Sequence, residues 1–253
     1  MVEEFPVLKY TVQLYYSPES KETEDDCERD PPIQIASGVL IKNTSKFFLL
    51  TCKHVFDNIK VEDVVILTSW GFAVRLPNEV QFINNGNDSI DLTLIQLKAE
   101  RVDHLKAHYS FLPKKKLGFK HIFDEDLWYM MFGFINKRTT LKSPEFYVES
   151  FGFLTFIRRY KKIEKIGFNY ENNITLEYNR RKQGNFNDDL SSFGYKDLKG
   201  LSGGGIWLSE EGKTPGTFNY ILVGIMIEER IDRGFVIGTQ IHLIEKSLTQ
   251  YPQ

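Results

Sequence analysis

Cysteine is scarce in this chain: Cys27 and Cys52 are the only two among 253 residues. A scaffold stapled by several disulfides is therefore excluded. Cys27 sits in a polar, acidic stretch and Cys52 at the end of an apolar run, so the two do not read as a pair; Cys52 is expected as a buried free thiol. No run approaches the ~18 apolar residues that a membrane-spanning helix needs. The start, Met1-Val2-Glu3-Glu4-Phe5-Pro6, lacks the positive segment and apolar stretch of a secretory leader. Reduced thiols and a missing leader set the expectation of a cytoplasmic protein. Charge of one sign is lacking as well. With 32 basic and 34 acidic residues the formal net charge is −2, so no overall field draws nucleic acid. Basic residues do cluster at Arg158-Arg159 with Lys161, Lys162 and Lys165, and at Lys114-Lys115-Lys116, but both groups read as solvated loops or strand ends. No repeat of solenoid type is present.

Apolar residues at 42% and aromatics at 14% suit a packed globular core. Short apolar runs rich in β-formers recur at residues 7–16, 33–41, 47–51, 64–68, 79–83 and 92–97. Others follow at 128–134, 145–155, 174–178, 204–208, 220–228 and 234–239. About a dozen strands at this spacing predict all-β barrels or sandwiches rather than βαβ units. The acidic stretch 17–30 reads as an exposed hairpin loop. Residues 98–120 break the strand pattern and read as a connector. Within it His104 and His108 have one metal-ligand spacing if helical, but no further ligands accompany them. A short helix is expected at 243–251.

The chemistry is concentrated in Gly200-Leu201-Ser202-Gly203-Gly204-Gly205. A serine between glycines can present its hydroxyl from a tight turn, and small neighbours leave peptide N–H groups free to meet a carbonyl oxygen. Serine needs an adjacent base, and His54 supplies a candidate directly after the apolar run 47–50. Asp91, heading Asp91-Leu92-Thr93-Leu94, supplies a carboxylate. Asp88 lies three residues earlier and is the weaker alternative. Taken singly each residue has a plain reading: a strand-end histidine, a surface carboxylate, a glycine-rich hairpin. Their order is His, Asp, Ser, with gaps of 37 and 111 residues.

With Ala36-Ser37-Gly38-Val39-Leu40-Ile41 ahead of the histidine, this set resembles the trypsin-like (chymotrypsin-fold) serine proteases, and among them the disulfide-free bacterial members such as HtrA-type domains. The resemblance spans roughly residues 33–245. It implies an all-β fold of two six-stranded antiparallel β-barrels with a short C-terminal helix: a first barrel over 1–105, a linker over 106–118 and a second barrel over 119–253. It implies a serine endopeptidase with His54 as base, Asp91 as its orienter and Ser202 as nucleophile, and an oxyanion hole made by the N–H groups of Gly200 and Ser202. No cofactor or metal is implied. The partners are protein or peptide substrates, with a regulatory protein partner left open, and neither nucleic acid nor membrane. The pocket is expected from residues 193–199 and from a wall including Met226, Ile227 and Glu228. Lys196 there would select an acidic side chain, whereas Met226, Ile227 and Phe235 favour an apolar one. A pseudoprotease using the fold as a binding module is the alternative.

Two positions depart from the family. Leu201 stands where digestive members carry an aspartate that pairs with a newly cut N-terminus, so activation by such cleavage is not expected. Loop packing or a partner must shape the hole instead. Gly205 replaces the usual proline.

Overall fold

The computed structural model describes residues 6–18, 32–68, 73–77, 81–83, 89–136, 150–178, 198–212, 214 and 217–249. The apolar runs form strands, and two sheets result. The first draws on β1 (Thr11–Tyr16), β2 (Ile33–Asn43), β3 (Lys46–Thr51), β4 (Val64–Leu67), β5 (Ala73–Arg75), β6 (Gln81–Phe82) and β7 (Thr93–Gln96). They lie in the order β5-β4-β1-β2-β3-β7-β6 and every pair is antiparallel. Alternate residues of β1 to β3 face one apolar interior, where Val12, Leu14, Leu40, Phe48 and Leu50 are fully buried, as the two-residue period of a strand with one face on the core requires.

The stretch 98–120 is more than a connector. Helix α1 (Ala99–Lys106) buries Val102 and Leu105. Strand β8 (Leu112–Pro113) then pairs parallel with β2 at Ile41 and Lys42, which brings the first sheet to eight strands where six were expected. His104 lies in α1 and His108 beyond its end, so the two do not share a helix face.

The second sheet has six strands: β9 (Tyr129–Phe134), β10 (Ser150–Thr155), β11 (Asn173–Glu177), β12 (Gly205–Glu211), β13 (Phe218–Arg230) and β14 (Phe235–Gln240), in the order β10-β9-β12-β13-β14-β11. It curls until its ends meet, because Ile157, just past β10, bridges Leu176 of β11, and Arg158 N–H donates to the Thr175 carbonyl at 2.9 Å. Helix α2 (Glu245–Thr249) follows. Met130, Phe132 and Trp207 of this sheet belong to the core of the first sheet, while Met131, Ile206 and Val223 fill the interior of the second. The two halves thus share buried apolar surface, and loops from both converge where β2 meets β9.

Candidate functional site

Strand β3 ends at Thr51. After Cys52 and Lys53, the one-turn 3₁₀ helix His54–Phe56 begins with the histidine itself. This turn presents the His54 ring at the edge of the first sheet, with 42% of its side chain exposed. Asp91 precedes β7, the neighbour of β3, and so comes alongside. One carboxylate oxygen, Oδ1, accepts the backbone N–H of His54 at 2.9 Å, and the other, Oδ2, lies 2.5 Å from Nδ1 of the ring. Being held at two points fixes the ring's rotation. Asp91 is 19% exposed and accepts both bonds as a carboxylate, so Nδ1 carries the shared hydrogen and Nε2 keeps its lone pair.

The loop bearing Asp91 is in turn tied to the second sheet. The side-chain amide of Asn173 donates to the Ser89 carbonyl at 2.9 Å, and those of Asn169 and Asn172 reach the Ser89 hydroxyl at 3.2 and 3.3 Å. Nothing in the local sequence marked these asparagines, because their partner lies some 80 residues away. Asp88 lies outside the described residues.

Burial pulls the His54 pKa down, but the Asp91 hydrogen bond and the charges of Asp91, Asp57 and Glu228 outweigh it, and the net effect is upward from 6.5. Glu228 is raised from the usual carboxylate range, mainly by burial, against the pull of Arg230 and His54. Its carboxylate pairs with Arg230 at 2.5 Å. Ile227 and Glu228 line a cleft of about 380 Å³ together with His54, Asp57, Asp91 and Phe168.

Ser202 sits half-buried on a turn between Leu201 and Gly203. The glycines on this turn are required: Gly200 has φ +90° and Gly203 φ +86°, a region that costs other residues roughly 1–2 kcal/mol. Ser202 is not hydrogen-bonded to His54 among the described residues; such bonds are often long in empty sites and tighten only with substrate. The two are nonetheless linked through one carbonyl. Gly203 N–H donates to Met226 O at 2.8 Å, and the Cys52 thiol, two residues before His54, donates to the same oxygen at 3.0 Å. Met226 is buried with the interior of the second sheet and contributes this backbone group, while its neighbours Ile227 and Glu228 face the cleft. Of the expected pocket residues Lys196 lies outside the described residues.

Cys52 is a buried free thiol, and it does not share a strand face with His54, since β3 has already ended. Its thiol, with His54 and Asp91, offers three metal-binding atoms within 4.8 Å of one another. Burial and the Asp91 charge push the Cys52 pKa well above 9, so the thiol stays protonated and competes poorly for a cation.

No family model and no curated protein matches the sequence. Solved structures do match its fold. One is the scabies mite inactivated protease paralogue S-I1, at TM-score 0.56 and 14% identity, covering 96% of this chain and 94% of that one. Another is GrC, granzyme C, at TM-score 0.56 and 12% identity, covering 98% and 96%. The chain therefore has the chymotrypsin-like double-barrel fold of serine protease-like proteins.

Proposed function

We propose that this chain is a serine endopeptidase that cleaves protein substrates through His54, Asp91 and Ser202. The observation that carries the proposal is the two-point hold of Asp91 on His54, through the backbone N–H at 2.9 Å and the ring Nδ1 at 2.5 Å. A carboxylate placed so leaves Nε2 as the ring's free base and stabilises the imidazolium that forms when the base takes a proton.

The steps follow from this arrangement. Substrate backbone docks along β13, which past Met226 has left the β12 side and among the described residues pairs only with β14. His54 Nε2 removes the Ser202 proton as Oγ attacks the scissile carbonyl. Negative charge develops on the carbonyl oxygen, where the N–H groups of Gly200 and Ser202 receive it; among the described residues neither donates to a backbone carbonyl. The imidazolium then protonates the leaving amine, and the acyl-enzyme on Ser202 is hydrolysed by water activated at the same nitrogen. The free, buried Cys52 suits the disulfide-free kind of this fold and a reducing compartment, and we place the activity in the cytoplasm.

The second reading is a catalytically silent protein-binding module. It is favoured by one observation, that a structure sharing this fold is an inactivated protease paralogue. A fluorophosphonate probe separates the two. The endopeptidase labels as expressed, Ser202→Ala does not, and a peptide library incubated with the wild type yields new N-termini. A wild type that neither labels nor cleaves would leave the binding-module reading standing.

A further inference from the structure

The N–H groups of Gly200 and Ser202 can serve as an oxyanion hole only if two peptide units are turned with their hydrogens toward the cleft. The structure shows what turns them. The Lys199 carbonyl accepts the backbone N–H of Asn136 at 2.7 Å, and the Leu201 carbonyl accepts that of Gly204 at 2.8 Å. A peptide unit is planar and trans, so a carbonyl fixed on one side sends the N–H of the next residue to the other. Gly200 N–H and Ser202 N–H are thereby both aimed away from the body of the loop. Between these two units lies the Gly200 carbonyl, and among the described residues one hydroxyl holds it.

That hydroxyl belongs to Ser37 on β2, in the other half of the molecule. Ser37 is fully buried. Its Oγ accepts the backbone N–H of Phe134 at 2.8 Å and donates to the Gly200 carbonyl at 2.8 Å. Its own N–H donates to the Ser202 carbonyl at 2.8 Å. One residue therefore grips the nucleophile loop at two points and joins it to β9. Leu201 meanwhile points inward with no exposure, packed so closely on Gly133 that a Cβ there would lie 2.7 Å from its side chain. The loop is clamped from behind by β2 and β9 and needs no ion pair to a free N-terminus.

We propose that Ser37 is a positioning residue for the oxyanion hole, whose buried hydroxyl keeps the 199–202 loop in its reactive form whenever the two barrels are docked. Because the grip crosses from one barrel to the other, barrel docking sets the hole beside the His54–Asp91 pair, which neighbouring strands of the first barrel already hold together. The inference rests on the endopeptidase reading above and adds a means of regulation to it: whatever loosens the contact of β2 with β9 silences the site while leaving His54 and Asp91 bonded.

The test uses the full chain, a fluorophosphonate probe, and the wild type beside Ser37→Ala, Ser37→Cys and Ser202→Ala. Losing a whole oxyanion donor costs on the order of 10²–10³ in rate, so a misplaced one in Ser37→Ala should slow the maximal labelling rate by roughly 10–100-fold. The half-saturating probe concentration should stay within about threefold, since only the transition state uses the hole. Cysteine nearly matches serine in shape but hydrogen-bonds weakly, so Ser37→Cys should fall between the two. The pH midpoint of labelling should not move, because His54 and Asp91 are untouched. A folded Ser37→Ala that labels within about twofold of the wild type overturns the inference and leaves the endopeptidase reading intact. So does a loss that tracks the unfolded fraction measured by thermal melting. Should Ser37→Ala not fold, Ser37→Cys decides, and a wild-type rate for it is equally fatal. A wild type that does not label overturns both.

Discussion

Gly203 follows the nucleophile candidate, and alanine there is a severe test of how tightly this turn is wedged against the first sheet. Two costs arise. At φ +86° an alanine pays roughly 1–2 kcal/mol for a left-handed backbone. Its Cβ would also lie 2.0 Å from the Ser37 carbonyl oxygen and 2.3 Å from the Thr51 hydroxyl. The oxygen belongs to β2, a strand paired on both sides, so it cannot withdraw; crowding of this kind costs about 1–3 kcal/mol. The two together come to about 2–5 kcal/mol, a large share of the roughly 5–15 kcal/mol that holds a protein folded. For a chain of this length the melting temperature should drop by roughly 4–20 °C. Gly167→Ala is the control: its φ of +88° is nearly the same, but nothing lies within 4 Å of the added carbon. Only the backbone cost of about 1–2 kcal/mol applies there. Thermal unfolding of the two variants side by side isolates the steric part, and Gly203→Ala should also lose fluorophosphonate labelling while Gly167→Ala keeps it. Equal melting points for the two would refute the wedging of this turn against β2.

Further expectations concern the ionisable groups. On the proposed mechanism, labelling and turnover need neutral His54, whose pKa is raised above 6.5 by Asp91 and by the charges of Asp57 and Glu228 against the effect of burial. Activity should therefore rise with pH through a midpoint above 6.5. Glu228→Gln removes one of those charges and should move the midpoint lower; a midpoint that stays or moves higher in a pH–rate profile would contradict the placement of Glu228. Cys52 is fully buried, donates its thiol to Met226 O and has a pKa well above 9. Iodoacetamide at pH 8 should leave it unmodified in the native protein and alkylate it in denaturant, as peptide mass spectrometry would show. Alkylation of the native protein would mean that the β3 end is open.

The strands of both sheets were largely legible in the sequence, because a strand of six or seven residues carries its own apolar run. The run at 47–51 became Lys46–Thr51, and the run at 234–239 became Phe235–Gln240. What stayed hidden depends on partners far along the chain. Strand β8 is two residues long and exists through its pairing with β2. Helix α1 is short and its segment is broken by a run of charges, so propensity alone did not reveal it. The candidate His54 and Asp91 were legible as motif residues. Ser37 lay in plain view within Ala36-Ser37-Gly38, yet its hydrogen bond to Gly200 spans 163 positions and no local pattern announces it. The asparagines that tie down Ser89 were hidden for the same reason.

Met226 ties the two halves of the candidate site together. Its carbonyl accepts Gly203 N–H and the Cys52 thiol, and its N–H donates to Gly204 O at 2.9 Å. The turn carrying Ser202 and the segment leading into His54 are therefore fastened to one peptide group of β13, and the next two residues line the cleft beside the imidazole. Side-chain identity at Met226 matters for packing, but the function assigned to this position is carried by backbone atoms, which a sequence cannot display. The same holds for Asn136, whose N–H turns the Lys199 peptide. A site assembled in this way from main-chain groups of both barrels tolerates wide change in side chains while keeping its geometry. Two solved structures that share 14% and 12% of residues with this chain follow the same fold over nearly its whole length.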